Sequence, residues 1–177
     1  DVLKRFSDNG GNMKNVKFRL HNDTDDCYII ADLKDGIYYA KGITSKKSDA
    51  TTFIPNSSSH IVVKGLEDDA YSLTEIATDK GYVLLKDAVK IVIKTAESGQ
   101  CEKCGVKLLT ASATINDKDV TMSEENAVVP LTVVNNPGFD LPKTGGYGVW
   151  MYTVGGVLLL GAAAFIVIRS RKHKNEQ

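Results

Sequence analysis

The sequence predicts an antiparallel β-sandwich followed by one C-terminal transmembrane helix. Short runs rich in β-branched and aromatic residues recur along residues 1–136, and Gly, Pro, Asn and Asp separate them. One apolar stretch, 147–168, contains no charged residue and would be roughly 33 Å long as a helix, enough to cross the core of a bilayer. Because no convincing helical pattern precedes that stretch, we assign the first part of the chain to the all-β class.

The strands are predicted in order from these runs. The opening segment is extended, with Val2, Lys4 and Phe6 on one face. Turn residues at 8–11, 34–36, 55–57 and 98–99 separate the later strands, and Asn136-Pro137-Gly138 ends the last one. Those strands are predicted at 16–21, 27–33, 36–42, 60–64, 70–76, 89–94, 106–115 and 128–135. Many short strands at this spacing favour a sandwich with hairpins and crossovers.

The domain organisation follows from the same changes of composition. We expect a β-sandwich over 1–136, a linker with a pentapeptide motif over 137–146, a transmembrane helix over 147–168 and a cytoplasmic basic tail over 169–177. The chain opens inside a predicted strand with neither an initiator methionine nor a secretory leader. We therefore expect it to be the C-terminal piece of a longer exported protein.

Charge and composition exclude some classes of partner. The formal net charge is zero, but residues 1–144 carry 18 Lys and Arg against 21 Asp and Glu, a net charge of −3. A mildly acidic ectodomain argues against nucleic-acid binding. No motif in the sequence calls for a cofactor.

The cysteines are predicted to be structural or simply free. Cys101 and Cys104 have a spacing found in zinc and redox sites. A structural zinc site needs four ligands, which Cys27 alone does not complete, and no βαβ pattern surrounds the pair. A short-loop disulfide and two loop thiols both remain open. We predict no metal site and assign no role to Cys27.

The C-terminus combines three features in a fixed order. A pentapeptide precedes the apolar stretch, and the stretch precedes four cations, Arg169, Arg171, Lys172 and Lys174. The alternatives are an ordinary C-terminal anchor with an accidental pentapeptide and a glycolipid-anchor signal, although the latter ends in its apolar tail rather than in cations. The residues of the pentapeptide are Leu141, Pro142, Lys143, Thr144 and Gly145.

The three features together resemble the cell-wall sorting signal of Gram-positive surface proteins, which the transpeptidase sortase recognises. The resemblance implies cleavage between Thr144 and Gly145 and transfer of Thr144 to an amine of the cell wall or of a pilin. It also implies localisation at the cell surface with covalent attachment to the wall, after transient membrane anchoring. The expected partners are sortase and either a peptidoglycan precursor or neighbouring pilin subunits.

Three polar residues fall on the apolar faces of separate predicted strands. Lys4 lies between Val2 and Phe6, Glu75 shares a face with Tyr71 and Leu73, and Asn135 shares a face with Leu131 and Val133. Burying each of them alone would cost several kcal/mol. One interpretation is a buried Lys–Glu ion pair with a hydrogen-bonded Asn. The other is an intramolecular amide bond between Lys4 and Asn135, with Glu75 as the proton shuttle.

The amide bond would form without a cofactor. Burial disfavours the Lys4 ammonium and leaves a neutral amine that can attack the Asn135 side chain. A protonated Glu75 is predicted to hydrogen-bond the Asn135 carbonyl oxygen and to move protons as ammonia leaves. The neighbouring Asn136 is not the predicted partner, because its parity places it on the opposite face.

Several segments resemble the Cna B-like domains of Gram-positive pilins and adhesin stalks. Tyr71-Ser72-Leu73-Thr74-Glu75 followed by Gly81-Tyr82 is similar to their E-box, and the segment around Lys4 is similar to their first strand. The stretch 133–141 resembles the closing strand of LPXTG-anchored backbone pilins. The resemblance implies an immunoglobulin-like (Cna B-type) sandwich in which Lys4 and Asn135 are cross-linked and Glu75 is the catalytic acid. The family often has Ala-Pro before the Gly-Tyr pair, where this chain has Ala77-Thr78-Asp79-Lys80.

The function implied is structural rather than enzymatic. The first hypothesis is a backbone pilin subunit of a fimbrium, and the alternative is the wall-proximal stalk of a non-polymeric adhesin that binds host matrix. A host surface ligand is therefore a further partner to consider. A wall-anchored hydrolase finds little support, because His21, His60 and His173 have no nucleophile motif near them.

Overall fold

The computed structural model describes residues 1–100, 102–122, 127–139 and 147–174 of the chain. Its backbone forms two compact units, Asp1–Gly138 and Phe139–Gln177. Within the described residues the first unit contains ten strands and two short 3-10 turns, Met13–Asn15 and Lys47–Asp49. The strands are β1 (Val2–Phe6), β2 (Lys17–Asn22), β3 (Cys27–Lys34), β4 (Ile37–Thr44), β5 (His60–Lys64), β6 (Ala70–Ala77), β7 (Val89–Gln100), β8 (Lys107–Ile115), β9 (Lys118–Val120) and β10 (Leu131–Asn135).

The strands form one continuous ladder in the order β10-β1-β5-β4-β3-β2-β6-β7-β8-β9. The prediction of a mostly β fold is confirmed, but the pairing is not purely antiparallel. β1 pairs in parallel with β10, and β4 pairs in parallel with β5. A parallel neighbour requires a long crossover, and for β1 and β10 almost the whole unit is that crossover. Hydrophobic alternation is the same in parallel and antiparallel strands, so it did not reveal this.

The core is built from the alternate residues of these strands. In β1 the residues Val2, Lys4 and Phe6 are buried, while Arg5 between them is exposed. The same alternation runs through β6 and β10. The buried apolar cluster draws on β1 to β7 and β10, and Phe53 in the connection after β4 pairs with Phe18 of β2. Because β10 and β6 stand six places apart in the ladder yet share this core, the sheet must fold over on itself.

The β7–β8 hairpin differs most from the prediction. β7 continues to Gln100, and the predicted turn at Ser98-Gly99 is a bulge within the strand, where the register with β8 shifts. A Ser-Gly pair is compatible with either a turn or a bulge, because both use backbone conformations that glycine adopts more easily than residues with larger side chains. The short strand β9, which was not predicted, pairs with the end of β8.

The second unit contains one helix, α1, which spans Tyr147–Lys174. It is longer than predicted, since it continues into the basic segment that is predicted as a tail at 169–177. Of the residues that the structure describes, none belongs to a helix that is long and apolar enough to cross a membrane. The prediction of a transmembrane helix at 147–168 is not met by this finding.

Candidate functional site

Lys4, Glu75 and Asn135 lie together in the interior of the first unit. Their exposed fractions are 0%, 3% and 1%. β1 and β10 bring two of them together, because Phe6 is the register partner of Asn135 and Lys4 lies two residues before Phe6 on the same face. β6 supplies Glu75 from the opposite layer. The three predicted site residues are thus collected from the two ends and the middle of the domain.

The amine of Lys4 is directed at the side-chain amide of Asn135. Lys4 Nζ lies 2.7 Å from Asn135 Oδ1 and 2.8 Å from the backbone oxygen of Arg5, and it donates to both. It also lies 4.5 Å from the centre of the Phe6 ring, a favourable position for a cation. Burial lowers the pKa of the Lys4 ammonium, and the nearby Glu75 carboxylate partly opposes that shift.

The amide nitrogen of Asn135 faces three acceptors. Nδ2 lies 2.8 Å from Glu75 Oε2, 2.9 Å from Thr78 Oγ1 and 2.9 Å from the backbone oxygen of Val83. A carbonyl oxygen can only accept a hydrogen bond. The Val83 contact therefore fixes which end of the amide is nitrogen, since a flipped Asn135 would place its oxygen against another oxygen.

Glu75 faces Lys4 and Asn135 through different oxygens. Oε2 accepts from Asn135 Nδ2 and from the backbone amide of Leu85 at 2.9 Å. Oε1 lies 3.9 Å from Lys4 Nζ and is buried without a hydrogen-bond partner among the described residues. The prediction that Glu75 hydrogen-bonds the Asn135 carbonyl oxygen is not met here, because that oxygen faces Lys4 and Glu75 faces the nitrogen.

A short loop between β6 and β7 covers the site. Residues 81–83 of this loop pair with residues 136–138, through bonds from Val83 N to Asn136 O at 3.0 Å and from Gly138 N to Gly81 O at 2.7 Å. Gly81 adopts a φ of 91°, a conformation that favours glycine. The Tyr82 ring packs on Phe6 with the ring centres 4.3 Å apart. The Gly81-Tyr82 pair is thus part of the cover over the buried triad.

Two carboxylates tie this loop to the connection between β1 and β2. Asp79 accepts from Asn12 N at 2.7 Å and from Asn15 Nδ2 at 2.6 Å, and these bonds lower its pKa. Asp8 accepts from the Tyr82 hydroxyl at 2.7 Å, which lowers the pKa of Asp8 and raises that of Tyr82 to about 12. The connection also passes close to the core, because a Cβ on Gly11 would lie 2.4 Å from the Phe6 ring.

Sequence reasoning missed Thr78, Val83 and Leu85. Val83 and Leu85 act through backbone groups, which no side-chain pattern reveals. Thr78 stands where the chain departs from the Ala-Pro pattern of the E-box, and that departure was the available signal.

The remaining predicted residues lie elsewhere. Asn136 is exposed, as its parity predicts. Cys27 is a buried free thiol whose pKa burial raises, and Cys104 is an exposed free thiol. No group of three or more His, Cys, Asp and Glu side chains among the described residues could hold a metal ion. Cys101 and the motif residues Leu141, Pro142, Lys143, Thr144 and Gly145 lie outside the described residues.

Comparisons with known proteins agree with this architecture. Residues 2–103, more than half of the chain, match a family described as a SpaA prealbumin-like fold domain. Residues 133–175 match the LPXTG cell wall anchor motif, which supports covalent anchoring at the cell-wall surface. No protein of curated function matches the sequence.

Two solved structures align with most of this chain. One is the group B streptococcus pilus 2b backbone protein, with a TM-score of 0.50 and 20% identity over 80% of this chain and 42% of that protein. Another is the shaft pilin SpaA from Lactobacillus rhamnosus GG, with a TM-score of 0.48 and 14% identity over 80% of this chain and 46% of that one. The chain spans less than half the length of either protein. On the family match, this chain belongs to the SpaA prealbumin-like fold domains and carries the LPXTG motif of wall-anchored surface proteins.

Proposed function

We propose that this chain is the wall-proximal part of a pilus backbone subunit, joined by sortase through Thr144 and stiffened by an amide bond between Lys4 and Asn135. The observation that carries the cross-link is the burial of an amine 2.7 Å from a side-chain amide, with a carboxyl group beside both. The role is structural, and the cross-link forms once in each molecule. The LPXTG match and the backbone-pilin fold support the assignment to a pilus.

The proposed reaction replaces one amide by another. The Lys4 Nζ–Asn135 Cγ bond forms, the Cγ–Nδ2 bond breaks, and ammonia leaves. Glu75 relays the proton: its carboxyl group gives the proton on Oε2 to Nδ2 and takes one from Nζ at Oε1, so its net protonation is unchanged while its proton has moved from Oε2 to Oε1. The separate positions of its two oxygens, one toward each nitrogen, suit this transfer.

Burial supplies the driving conditions for this step. A lowered Lys4 pKa increases the fraction of neutral amine, which is the nucleophile. The fold holds the reactants in contact, and good orientation of reacting groups lowers the activation barrier by about 7–11 kcal/mol in the best cases. The ion-pair interpretation is the alternative: Lys4 Nζ and Glu75 Oε1 lie within ion-pair distance at 3.9 Å, but they make no direct hydrogen bond, which a buried pair needs to offset its desolvation.

Intact mass tests the cross-link. The folded chain should weigh less than its sequence by one ammonia, after allowance for cysteine oxidation. Lys4→Ala, Asn135→Ala and Glu75→Ala should each restore the full mass, while Lys90→Ala, which changes an exposed lysine on β7, should still lose ammonia. A parent chain with the full mass of its sequence would rule out the bond. Normal loss of ammonia in Glu75→Ala would rule out Glu75 as the proton shuttle.

A further inference from the structure

The acceptors around Asn135 Nδ2 outnumber the hydrogens that the amide can donate. A side-chain amide nitrogen carries two hydrogens, yet Glu75 Oε2, Thr78 Oγ1 and the Val83 oxygen all lie 2.8–2.9 Å from it. In the starting state at least one of these contacts is shared or incomplete. One of the three acceptors therefore lacks a hydrogen bond of its own from Nδ2 before the reaction begins.

The number of acceptors matches the number of hydrogens on Nδ2 in the tetrahedral intermediate of the proposed reaction. When Asn135 Nδ2 has received a proton in the tetrahedral intermediate, it is an ammonium with three hydrogens, and three acceptors then surround it. Acceptors that are fully used only late in a reaction stabilise the transition state more than the ground state. Two of the three are accounted for, since Glu75 is the proposed shuttle and Val83 contributes a backbone oxygen.

We infer that Thr78 is a catalytic residue of the cross-linking reaction, whose hydroxyl completes a three-acceptor site for the departing ammonium. This inference rests on the proposed Lys4–Asn135 bond. No covalent change occurs at Thr78: its Oγ1 accepts the third N–H as the Cγ–Nδ2 bond breaks, and ammonia then leaves. A hydroxyl suits the position because it can also donate to the nitrogen lone pair before the proton arrives.

Thr78 is well placed to act without holding the domain together. It is only partly buried, it follows β6 directly, and its hydroxyl contact to Asn135 is the side-chain hydrogen bond that the structure gives it among the described residues. Loss of the hydroxyl should therefore slow the reaction rather than abolish it.

The test compares rates in the full chain. The parent chain and its Thr78→Val and Thr78→Ser variants are dissolved in denaturant from inclusion bodies. Their intact mass is checked to confirm that no ammonia has been lost, and it is then followed during refolding. Valine keeps the shape and removes the hydroxyl, so we expect ammonia loss to be roughly ten- to a hundredfold slower, the effect of one hydrogen bond to a charged group. Serine keeps the hydroxyl and should react within a few-fold of the parent.

Each result has a distinct meaning. Thr78→Val and Lys4→Ala/Thr78→Val should fold like their parents by circular dichroism, which separates a slow reaction from a failed fold. Loss of ammonia at the parent rate in Thr78→Val overturns the role of Thr78 and leaves the cross-link standing. Equal slowing in the valine and serine variants assigns the effect to packing and also overturns it. A parent that never loses ammonia overturns the cross-link, and the role of Thr78 with it.

Discussion

At the scale of single residues, the main feature of the site is that three polar side chains are buried together. An amine, a carboxyl group and an amide are each costly to bury alone, and here each one satisfies part of another's hydrogen-bonding need. Oε1 of Glu75 is the exception, since it has no hydrogen-bond partner in the described part of the chain, and it is the atom that faces the amine. A buried acceptor left open beside a donor is expected where a proton must move.

The lowered pKa of Lys4 predicts a pH dependence for a chain that cannot react. In Asn135→Ala the amine stays free, and we expect burial to hold its pKa in the folded state below the ordinary value of 10.5, as it does in the parent. Between the folded and unfolded pKa values the unfolded chain binds more protons, so the free energy of unfolding should rise with pH across that window. The gain should be complete above 10.5 and lost as pH falls through the folded pKa.

Urea unfolding at a series of pH values measures this. The Lys4→Ala/Asn135→Ala double variant is the control, because it lacks the titrating amine and keeps the other groups. If the two variants showed the same slope of unfolding free energy against pH, Lys4 would not be desolvated in the folded chain.

The residues of the site were predictable, but their orientation was not. Two-residue parity placed Lys4, Glu75 and Asn135 on buried faces, because strand alternation depends only on local sequence. Which end of the Asn135 amide meets the amine depends on the Val83 carbonyl, which reaches the site from a loop. That contact is set by tertiary packing, and no local pattern carries it.

At the scale of elements, the site depends on two irregular connections rather than on strands alone. The loop after β6 covers the triad, and the connection after β1 holds that loop through Asp79 and Asp8. The strands themselves follow from their β-branched runs, whereas the parallel β1–β10 pair joins segments more than a hundred positions apart. Long-range pairing of that kind is decided by the whole fold, which is why runs and turns alone suggested an antiparallel sheet.

Removing the Asp79 carboxylate should loosen this cover. In Asp79→Ala, Asn12 N and Asn15 Nδ2 lose their shared acceptor, so amide hydrogens over 12–15 and 81–83 should exchange faster. Because the Asp79 pKa is lowered in the folded state, the parent should show the same loosening as pH falls through that pKa.

Hydrogen exchange followed by mass spectrometry gives the measurement. Asp87→Ala is the matched control, since Asp87 is an exposed aspartate before the next strand and the described residues show no side-chain contact for it. Similar exchange at 12–15 in both variants would mean that Asp79 does not hold the cover.

At the scale of the whole molecule, the C-terminal motif determines how the chain is attached. If sortase acts at Thr144, Thr144→Ala should prevent covalent linkage, and boiling in denaturant should then extract the protein as a single species. Lys143→Ala changes the variable position of the motif and should remain linked. For a pilus backbone, wall digests of the parent should form a ladder of covalent multimers on a denaturing gel. One discrete wall-linked band would instead favour the stalk of a non-polymeric adhesin.

The proposed bond also determines how the domain bears tension. When the domain is pulled from its two ends, force enters at the start of β1 and leaves after β10. These neighbouring parallel strands contain Lys4 and Asn135, which lie 131 positions apart. A covalent bond between them would carry the load directly, so the residues between them would stay folded. It also closes a long loop. By analogy with a disulfide, this lowers the conformational entropy of the unfolded chain and stabilises the folded state by about 5 kcal/mol.

Single-molecule pulling between Asp1 and Phe139 tests this force path. The parent should show no unfolding step from the domain, because only the few residues outside the bond can extend. Lys4→Ala should unfold and release a segment of 131 positions, equivalent to about 430–470 Å of extended chain at about 3.3–3.6 Å per residue. Lys90→Ala, which alters an exposed lysine between the same two points, should behave like the parent. An unfolding step of that length in the parent would show that tension passes through the fold, and the bond would then have no mechanical role.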